Sequence, residues 1–462
     1  MSDALTYRQH ARAVIGLGLP LIGSHVAQFA ITLTDIAMLG WYSVDALAAG
    51  VLGGEMFFLF FIMGAGFAWA VMPMVASAQA AGEGARIRRV TRMGMWASLL
   101  FGLAVLPVLL LTGPVLRALG QTETVVRLAA DYNAINGFAI FPALLVMVLK
   151  SGLSALERTR VVLWVTVLAA ALNAAVNYVL IFGNFGAPEM GIRGAAIASV
   201  TTHGVSFLLL AVYVTRTLPE HALFARFWRP DGPALAAVFR LGWPIGITNL
   251  AETGLFAASS VMMGWLGTVP LAAHGIALQA ASVVFMVHMG LSNAATVRAG
   301  HAHGRRDGPG LRRGAMVALA MSGIAAALTV GLFFTMPEVL IGLFMRPDEP
   351  DRAAVMAIGT GLLAAAALFQ LVDAGQVMAL GLLRGVQDTR VPMLIAAFSY
   401  WAVGIPASYL MGFTLGMGGV GLWLGLAVGL ALAAGFMLAR FWGWSARGLD
   451  PPAGSHPVRK PV

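Results

Sequence analysis

The sequence predicts an all-α polytopic membrane protein, with twelve transmembrane helices in two parallel six-helix repeats. Three observations carry that reading. Hydrophobic residues make up 59% and charged residues only 11% of the 462, whereas soluble domains run near a quarter charged. Apolar runs of about 20 residues, enough helix to cross about 30 Å of hydrocarbon, recur from end to end. The second half of the chain also echoes the first at an offset of 224 residues.

The spans follow in order. The first, 13–40, holds Pro20 and Asp35, with no Lys or Arg between Ala13 and Arg86. It is too long for a signal-peptide core and has no convincing cleavage site, so it is expected to be retained. The second, 46–72, holds Glu55, and the third, 90–112, begins after a cluster of four arginines at Arg86–Arg92. Spans at 128–149, 161–183 and 191–215 complete the first half. An Arg-, Pro- and Gly-containing stretch then separates the halves. The second half places spans at 236–264, 270–297, 313–336, 353–382, 391–413 and 417–442. The runs do not alternate with period two and exceed the ~10 residues of a barrel strand, which disfavours an outer-membrane barrel. The expected units are a bundle over 1–215, a cytoplasmic linker over 216–235, a second bundle over 236–445 and a disordered tail over 446–462.

A net charge of +9 could suggest nucleic acid, but its distribution argues otherwise. With the N-terminus assigned to the cytoplasm, inner ends and loops hold 24 of the 29 Lys and Arg, and the outer side holds Arg117, Arg127, Arg193, Arg346 and Arg352. That is the positive-inside pattern, and it places both termini in the cytoplasm. Cys is absent, so disulfides and thiolate metal sites are excluded.

The repeat is carried by ordered matches. "GLP" at 18–20 falls on "GWP" at 242–244, "MLGW" at 38–41 on "MMGW" at 262–265, and "LAA" at 47–49 on "LAA" at 271–273. Further on, "RTRV" at 158–161 parallels "DTRV" at 388–391, and "MGIRG" at 190–194 parallels "MGGVG" at 417–421. Five matches in order indicate a duplication. Each half has an even number of spans, so both run the same way, as in transporters whose substrate path lies between parallel repeats.

Four acids, Asp35, Glu55, Glu252 and Asp373, fall well inside spans, and every Lys and Arg reads as peripheral. An intramembrane carboxyl costs from ~3 kcal/mol upward and usually marks a pathway. The competing reading is a protonated carboxyl hydrogen-bonded to a neighbouring helix; it weighs most for Glu55 and Asp35, which lie nearer the outer ends. Polar neighbours strengthen the other two. Thr248 and Asn249 share a helical face with Glu252, and Gln370 and Gln376 flank Asp373. Gln279 is the repeat equivalent of Glu55, and Asn173 and Asn177 form an i,i+4 amide face on the fifth span. Such oxygens are hard ligands suited to Na⁺. A carboxyl buried without a partner cation favours its neutral form, which suits reversible protonation. If the coupling ion is Na⁺, Glu252 and Asp373 are its expected ligands.

Pro20 and Pro244 occupy matching positions, followed by Gly23 and Gly246, and read as hinge candidates. His25, His203, His274 and His288 read as packing or interface residues. No GxxxxGK[ST] loop is present and no soluble domain is large enough for nucleotide, so ATP drive is disfavoured and an ion gradient is the remaining source. No cofactor is expected.

At this point a family resemblance appears. "PLIGSHVAQFAITLTDIAMLGWYSVDALAAG", "LNAAVNYVLIFGNFGAPEMGIRGAAIAS", "LAAHGIALQAASVVFMVHMGLSNAATVRAGHAHGRRD" and "QLVDAGQVMALGLLRGVQDTRVPM" resemble the multidrug and toxic compound extrusion (MATE) family over nearly the whole chain. Within it the chain looks most like the NorM branch. The resemblance implies a monomeric antiporter of a bacterial cytoplasmic (inner) membrane, exporting amphipathic cationic small molecules in exchange for Na⁺ or H⁺. It also implies that Glu252 and Asp373 form a cation site in the second half, matched in the first half by Asp35 with Asn173 and Asn177. On this reading Asp35 lines a water-filled cavity between the bundles. Span eleven carries Ala407 and Ser408 where an Asn pair like that of span five would stand, so the halves are not equivalent there.

Two other readings compete. A lipid-linked oligosaccharide flippase would share the architecture but should hold Arg or Lys deep in its cavity. An intramembrane hydrolase could use paired carboxylates, but Asp373 lies in "LVDAG" and not in a GxGD context. A receptor or passive channel is a remoter reading, which a flux assay without a gradient would separate.

Overall fold

The computed structural model describes residues 5–345 and 349–446. Arg346 and nearly all of the expected tail lie outside them. Among the described residues, twelve helices are long and apolar enough to cross a membrane. They are α1 (Tyr7–Tyr42), α2 (Val44–Ala80), α3 (Gly84–Leu110), α4 (Glu123–Ala155), α5 (Thr159–Phe182), α6 (Ile192–Thr217), α7 (Gly232–Leu266), α8 (Thr268–Arg305), α9 (Gly308–Thr335), α10 (Arg352–Gly385), α11 (Arg390–Thr414) and α12 (Gly418–Ser445). Among the described residues there is no strand. Hydrocarbon offers backbone groups no partners, so each span must satisfy its own as helix.

Polar caps set the helix starts. Thr6 and Gln9 form a capping box on α1, Ser43 accepts from Ala46 N on α2, and Asp231 and Asp307 cap α7 and α9. α1 and α7 run unbroken through Pro20 and Pro244. The Thr248 hydroxyl donates back to the carbonyl of Pro244 at 2.8 Å, a bond of the kind that bends a helix.

The duplication is written into the backbone as well as the sequence. α2 and α8 end in left-handed residues 224 positions apart, Gly82 (φ 73°) and Arg306 (φ 55°). α4 and α10 are each followed by one, Glu157 (φ 60°) and Gln387 (φ 62°).

The two halves meet through α1 against α8 and α2 against α7 and α8. The closest approaches obey the repeat. A Cβ on Gly66 of α2 would stand 2.5 Å from Gly242 O and Gly246 N of α7. A Cβ on Gly290 of α8, the repeat equivalent of Gly66, would stand 2.6 Å from Ile22 N of α1. Only glycine lets two helix backbones pack this closely. Both contacts fall in the half of the molecule nearer the chain ends. Farther out on the same helical faces lie Leu59 and its equivalent Val283, which are 42% and 48% exposed. The halves are thus sealed at the end that carries the termini and splayed at the other.

At the sealed end Glu157 meets Arg298 Nη1 at 3.7 Å and His301 Nδ1 at 3.4 Å, and His301 Nε2 lies 3.1 Å from Ala155 O. These contacts tie the α4–α5 turn of one half to α8 of the other.

Candidate functional site

In the first half, α1 turns Asp35 towards α5. Asp35 lies three turns beyond Ser24 on one face, and Ser24 Oγ bonds Thr166 Oγ1 of α5 at 3.0 Å. Asn177 Nδ2 donates to Asp35 Oδ1 at 2.5 Å and to Asn173 Oδ1 at 3.1 Å. Both asparagines are fully buried, and Asn177 Oδ1 and Asn173 Nδ2 have no partner. The phenol of Tyr132 on α4 completes the surroundings, within reach of Asp35 and of Ser199. The expectation that Asp35 lines a cavity between the bundles is therefore corrected. Its carboxyl points into the first half, because the buried amides on α5 supply the donor that a carboxylate needs in a low-dielectric interior.

In the second half, Asp373 on α10 is 1% exposed and is flanked by the fully buried Gln370 and Gln376. Gln370 Nε2 donates to Ala281 O at 3.0 Å, pinning α10 to α8. Gln376 Nε2 donates to the Tyr400 hydroxyl. Glu252 on α7 lies within electrostatic reach of Asp373, Tyr400 and Arg384. Four acceptor atoms here have no donor: Glu252 Oε1, Asp373 Oδ1, Gln376 Oε1 and Gln370 Oε1. Buried polar atoms without partners are rare in folded proteins. One donor, Asn249 Nδ2 on the Glu252 face, is orphaned as well; the oxygens outnumber it, and such oxygens suit a proton or a hard cation as the missing partner. No group of three or more His, Asp and Glu able to hold a metal occurs among the described residues. A cation held by Glu252 and Asp373 would therefore draw its remaining ligands from amide and phenol oxygens.

Glu55 and Gln279 occupy equivalent places away from both sites. Each lies three turns outward from Gly66 or Gly290 on the face turned to the opposite half, so both line the splayed cleft. Glu55 is exposed and Gln279 half-buried.

The expectation that every base is peripheral fails at two positions. Arg384 leaves the inner end of α10, donates through Nη2 to Asn249 Oδ1 at 2.9 Å and lies 5.8 Å from the Trp69 ring centroid of α2. Lys150 of α4 acts electrostatically on both His25 and His203, so it faces the interior of the first half. A long aliphatic stem lets a base anchored near a helix end reach inward when the interior offers acceptors. Of the four intramembrane histidines, three make packing bonds. His25 meets Asn293 of α8 at 2.9 Å, His274 joins Ser260 and Trp423 at 3.2 and 3.1 Å, and His288 meets Ser322 at 2.9 Å.

Tyr132, Arg384 and Tyr400 are the site residues that the sequence reading passed over. Tyr400 falls in Phe398–Gly404, a wide π-helical turn of α11, followed by a second at Leu410–Thr414. Such turns concentrate at functional sites. A Tyr–Trp pair seven residues before the Ala407–Ser408 position was the available signal.

Comparison with known proteins agrees with this geometry. The family model described as MatE matches residues 20–179 and 244–410, two segments whose starts are 224 residues apart. A probable multidrug resistance protein NorM of Rhizobium meliloti (strain 1021) is 46% identical over 448 residues, covering 96% of each chain. Its counterpart in Agrobacterium fabrum (strain C58 / ATCC 33970) is 45% identical and covers 95% of each. Among solved structures, an outward-facing multidrug resistance MATE transporter superposes with a TM-score of 0.86 at 18% identity, covering 96% of this chain and 97% of that one. A eukaryotic MATE transporter gives 0.85 at 19%, covering 96% and 98%. The twelve-helix fold, its internal repeat and these relatives place the chain in the MatE family, as a multi-pass membrane protein of the multidrug efflux transporters and not an enzyme.

Proposed function

We propose that the protein is a secondary active antiporter that exports amphipathic organic cations in exchange for Na⁺ or H⁺. The supporting observation is the set of orphaned acceptors around Glu252 and Asp373. Four buried oxygens without a protein donor suit the uptake of a small cation or protons. The second half supplies the coupling site, and Asp35 with Asn173 and Asn177 forms a second acidic site in the first half. Glu55 and Gln279 line the cleft by which drug leaves. Both termini lie in the cytoplasm, the membrane is the bacterial inner membrane, and the working unit is a monomer.

With that orientation the described state is outward-facing. The sealed end, held by Gly66 and Gly290, faces the cytoplasm, and the splayed end faces out. The chain divides into bundles over 1–215 and 236–445 joined by the 216–235 linker. Pro20 and Pro244 lie beside the sealed contacts, where α1 and α7 can bend as the halves rock. Ion binding at Glu252 and Asp373 lowers the negative charge that retains a cationic drug; ion release restores it. Coupling requires only that ion and drug compete for charge or for linked states.

The flippase alternative draws some support from Arg384 and Lys150, the two inward-reaching bases. Arg384 is already engaged by Asn249 and Trp69, which leaves it poorly placed for a pyrophosphate.

The test uses purified protein in liposomes. Efflux of a fluorescent organic cation is followed under an imposed Na⁺ or pH gradient, for wild type, Glu252→Gln and Asp373→Asn. Gradient-driven efflux in the wild type and its loss in both variants are expected, and the effective gradient names the ion. Full coupled activity in both variants would overturn the site assignment, and efflux without any gradient would overturn antiport.

A further inference from the structure

A second site lies away from the acids, on the side of the molecule that carries the chain ends. The segment joining the two halves leaves α6 at Thr217, passes through a short turn at Pro219–His221 and folds back beneath α3 before α7 begins at Gly232. It is fastened there by two side chains of α3. Trp96 Nε1 donates to Phe227 O at 2.8 Å, and its ring stacks on Phe227 at 5.6 Å. Arg92 Nη1 donates to Arg226 O at 3.0 Å.

Between α3 and this segment lies a cavity of about 740 Å³, lined by Arg88, Arg89, Arg92, Arg226, Arg229 and Asp231 among others. Five arginines face one carboxylate. That carboxylate is largely committed: Asp231 caps α7 through Ala234 N at 3.1 Å and approaches Arg89 only to 3.8 Å. Arg88, Arg226 and Arg229 make no side-chain hydrogen bond or ion pair with any described residue. Arg92 is 6% exposed, and its Nε has no partner. A chain that gathers five guanidinium groups around one void leaves their mutual repulsion unrelieved unless an anion occupies it. Guanidinium forks match phosphate oxygens better than any other common anion.

The surroundings indicate which phosphate. The arginines lie in the first turns of a spanning helix, the level of lipid headgroups. Trp228, between Arg226 and Arg229 in the loop, is 77% exposed. An exposed Trp beside basic residues at a span's end is the pattern of an interfacial anchor. Basic pockets between helix ends on this side of a membrane hold acidic headgroups.

We propose that this cavity binds the phosphate headgroup of an anionic phospholipid and ties the connecting segment to α3 through it. The lipid would bridge Arg88, Arg89 and Arg92 of the first half to Arg226 and Arg229 of the segment leading into the second. It therefore acts where the two halves must move relative to one another, and the site stands whichever ion drives transport.

The experiment uses the full-length protein in detergent with native mass spectrometry, after incubation with phosphatidylglycerol or with phosphatidylcholine. Wild type should retain phosphatidylglycerol over phosphatidylcholine. Arg88→Gln/Arg229→Gln should lower that retention by about tenfold or more, since it removes two charge-assisted contacts to the headgroup. Both residues lack protein partners, so their removal strands no buried group. Arg158→Gln/Arg160→Gln removes the same charge elsewhere on the same side and should leave retention unchanged. Equal loss in both double variants would reduce the effect to general surface charge and overturn the site. Retention unchanged in Arg88→Gln/Arg229→Gln would overturn it as well. A third arm adds inorganic phosphate at millimolar concentration: unchanged lipid retention is expected, and displacement of the lipid would assign the cavity to a soluble phosphate instead.

Discussion

The two halves share a scaffold and differ in chemistry. Gly66 and Gly290 make equivalent contacts with the opposite half, and Glu157 and Gln387 make equivalent left-handed turns. Yet the buried acids do not repeat. In the first half Asp35 receives a donor from Asn177, itself held by Asn173. In the second half Glu252 and Asp373 sit among orphaned acceptors, and Arg384, the base that acts on Glu252 among the described residues, is engaged by Asn249. Duplication preserves what packing requires, since backbone contacts between halves must close on both sides of a pseudo-two-fold axis. Side chains lining the interior of each half face no such constraint, so one half can hold its carboxyl ready-bonded while the other leaves it wanting a cation.

The largest expected effect comes from exchanging the acids. Asp373→Asn should abolish gradient-driven efflux, because it removes a charge for which ion and drug compete. Asp35→Asn keeps a hydrogen-bonding partner for Asn177, so the half-bundle should fold as before. It should raise the drug concentration needed for half-maximal efflux while efflux stays gradient-dependent. Efflux measured in liposomes against both drug concentration and gradient separates the two. The reverse pattern would assign coupling to the first half.

A smaller effect is expected at Tyr400, whose hydroxyl accepts from a buried amide, whereas the Tyr132 phenol beside Asp35 meets Ser199. Tyr400→Phe strands the Nε2 group of Gln376 in a fully buried place, and an unsatisfied buried donor costs about 1–3 kcal/mol. Thermal unfolding in detergent should fall accordingly, whereas the same change at the exposed Tyr409 should leave it unchanged.

How much of this was legible beforehand follows from the same contrast. Spans, repeat and buried acids were legible, because length, apolar content and ordered matches are linear properties of the chain. The direction of Asp35 was not. Spanning helices here are apolar nearly all round, so periodicity does not tell which face meets a neighbour and which meets lipid. Arg384 was misplaced for a related reason: its Cα lies at the inner end of α10, but its charge lies a side chain's length deeper, beside Asn249. Tyr400 was missed because its role depends on a π-helical turn that no spacing rule anticipates.

The shared scaffold can be tested directly, since the chain has no Cys and accepts a single reporter. Gly66→Ala and Gly290→Ala each force a Cβ against backbone of the opposite half. Both should open the sealed end, seen as faster thiol labelling of a Cys introduced at Ala76, and to a similar extent. A large difference between them would show that the seal is not symmetric.

The smallest effect concerns a charged contact at that seal whose repeat equivalent is neutral. Glu157 pairs with His301 and Arg298 across the halves, whereas Gln387 stands in its place in the second half. Hydrogen bonding to His301, followed by the positive charge of His301 and Arg298, holds the Glu157 carboxyl below its ordinary value of 4.5 despite partial burial. A carboxyl depressed in the sealed state stabilises that state above its ordinary value, and the contribution is lost as pH falls through the depressed one. The side chain is 49% exposed, so screening limits the contact to the range of surface pairs, about 0.2–1 kcal/mol. Glu157→Gln gives the first half the residue that already serves the second. It should therefore modestly speed labelling of the Ala76→Cys reporter at pH 7, and the difference from the parent should shrink when both are acidified below pH 4.5. A difference that persists unchanged at low pH would mean that Glu157 holds the seal through its shape and not its charge.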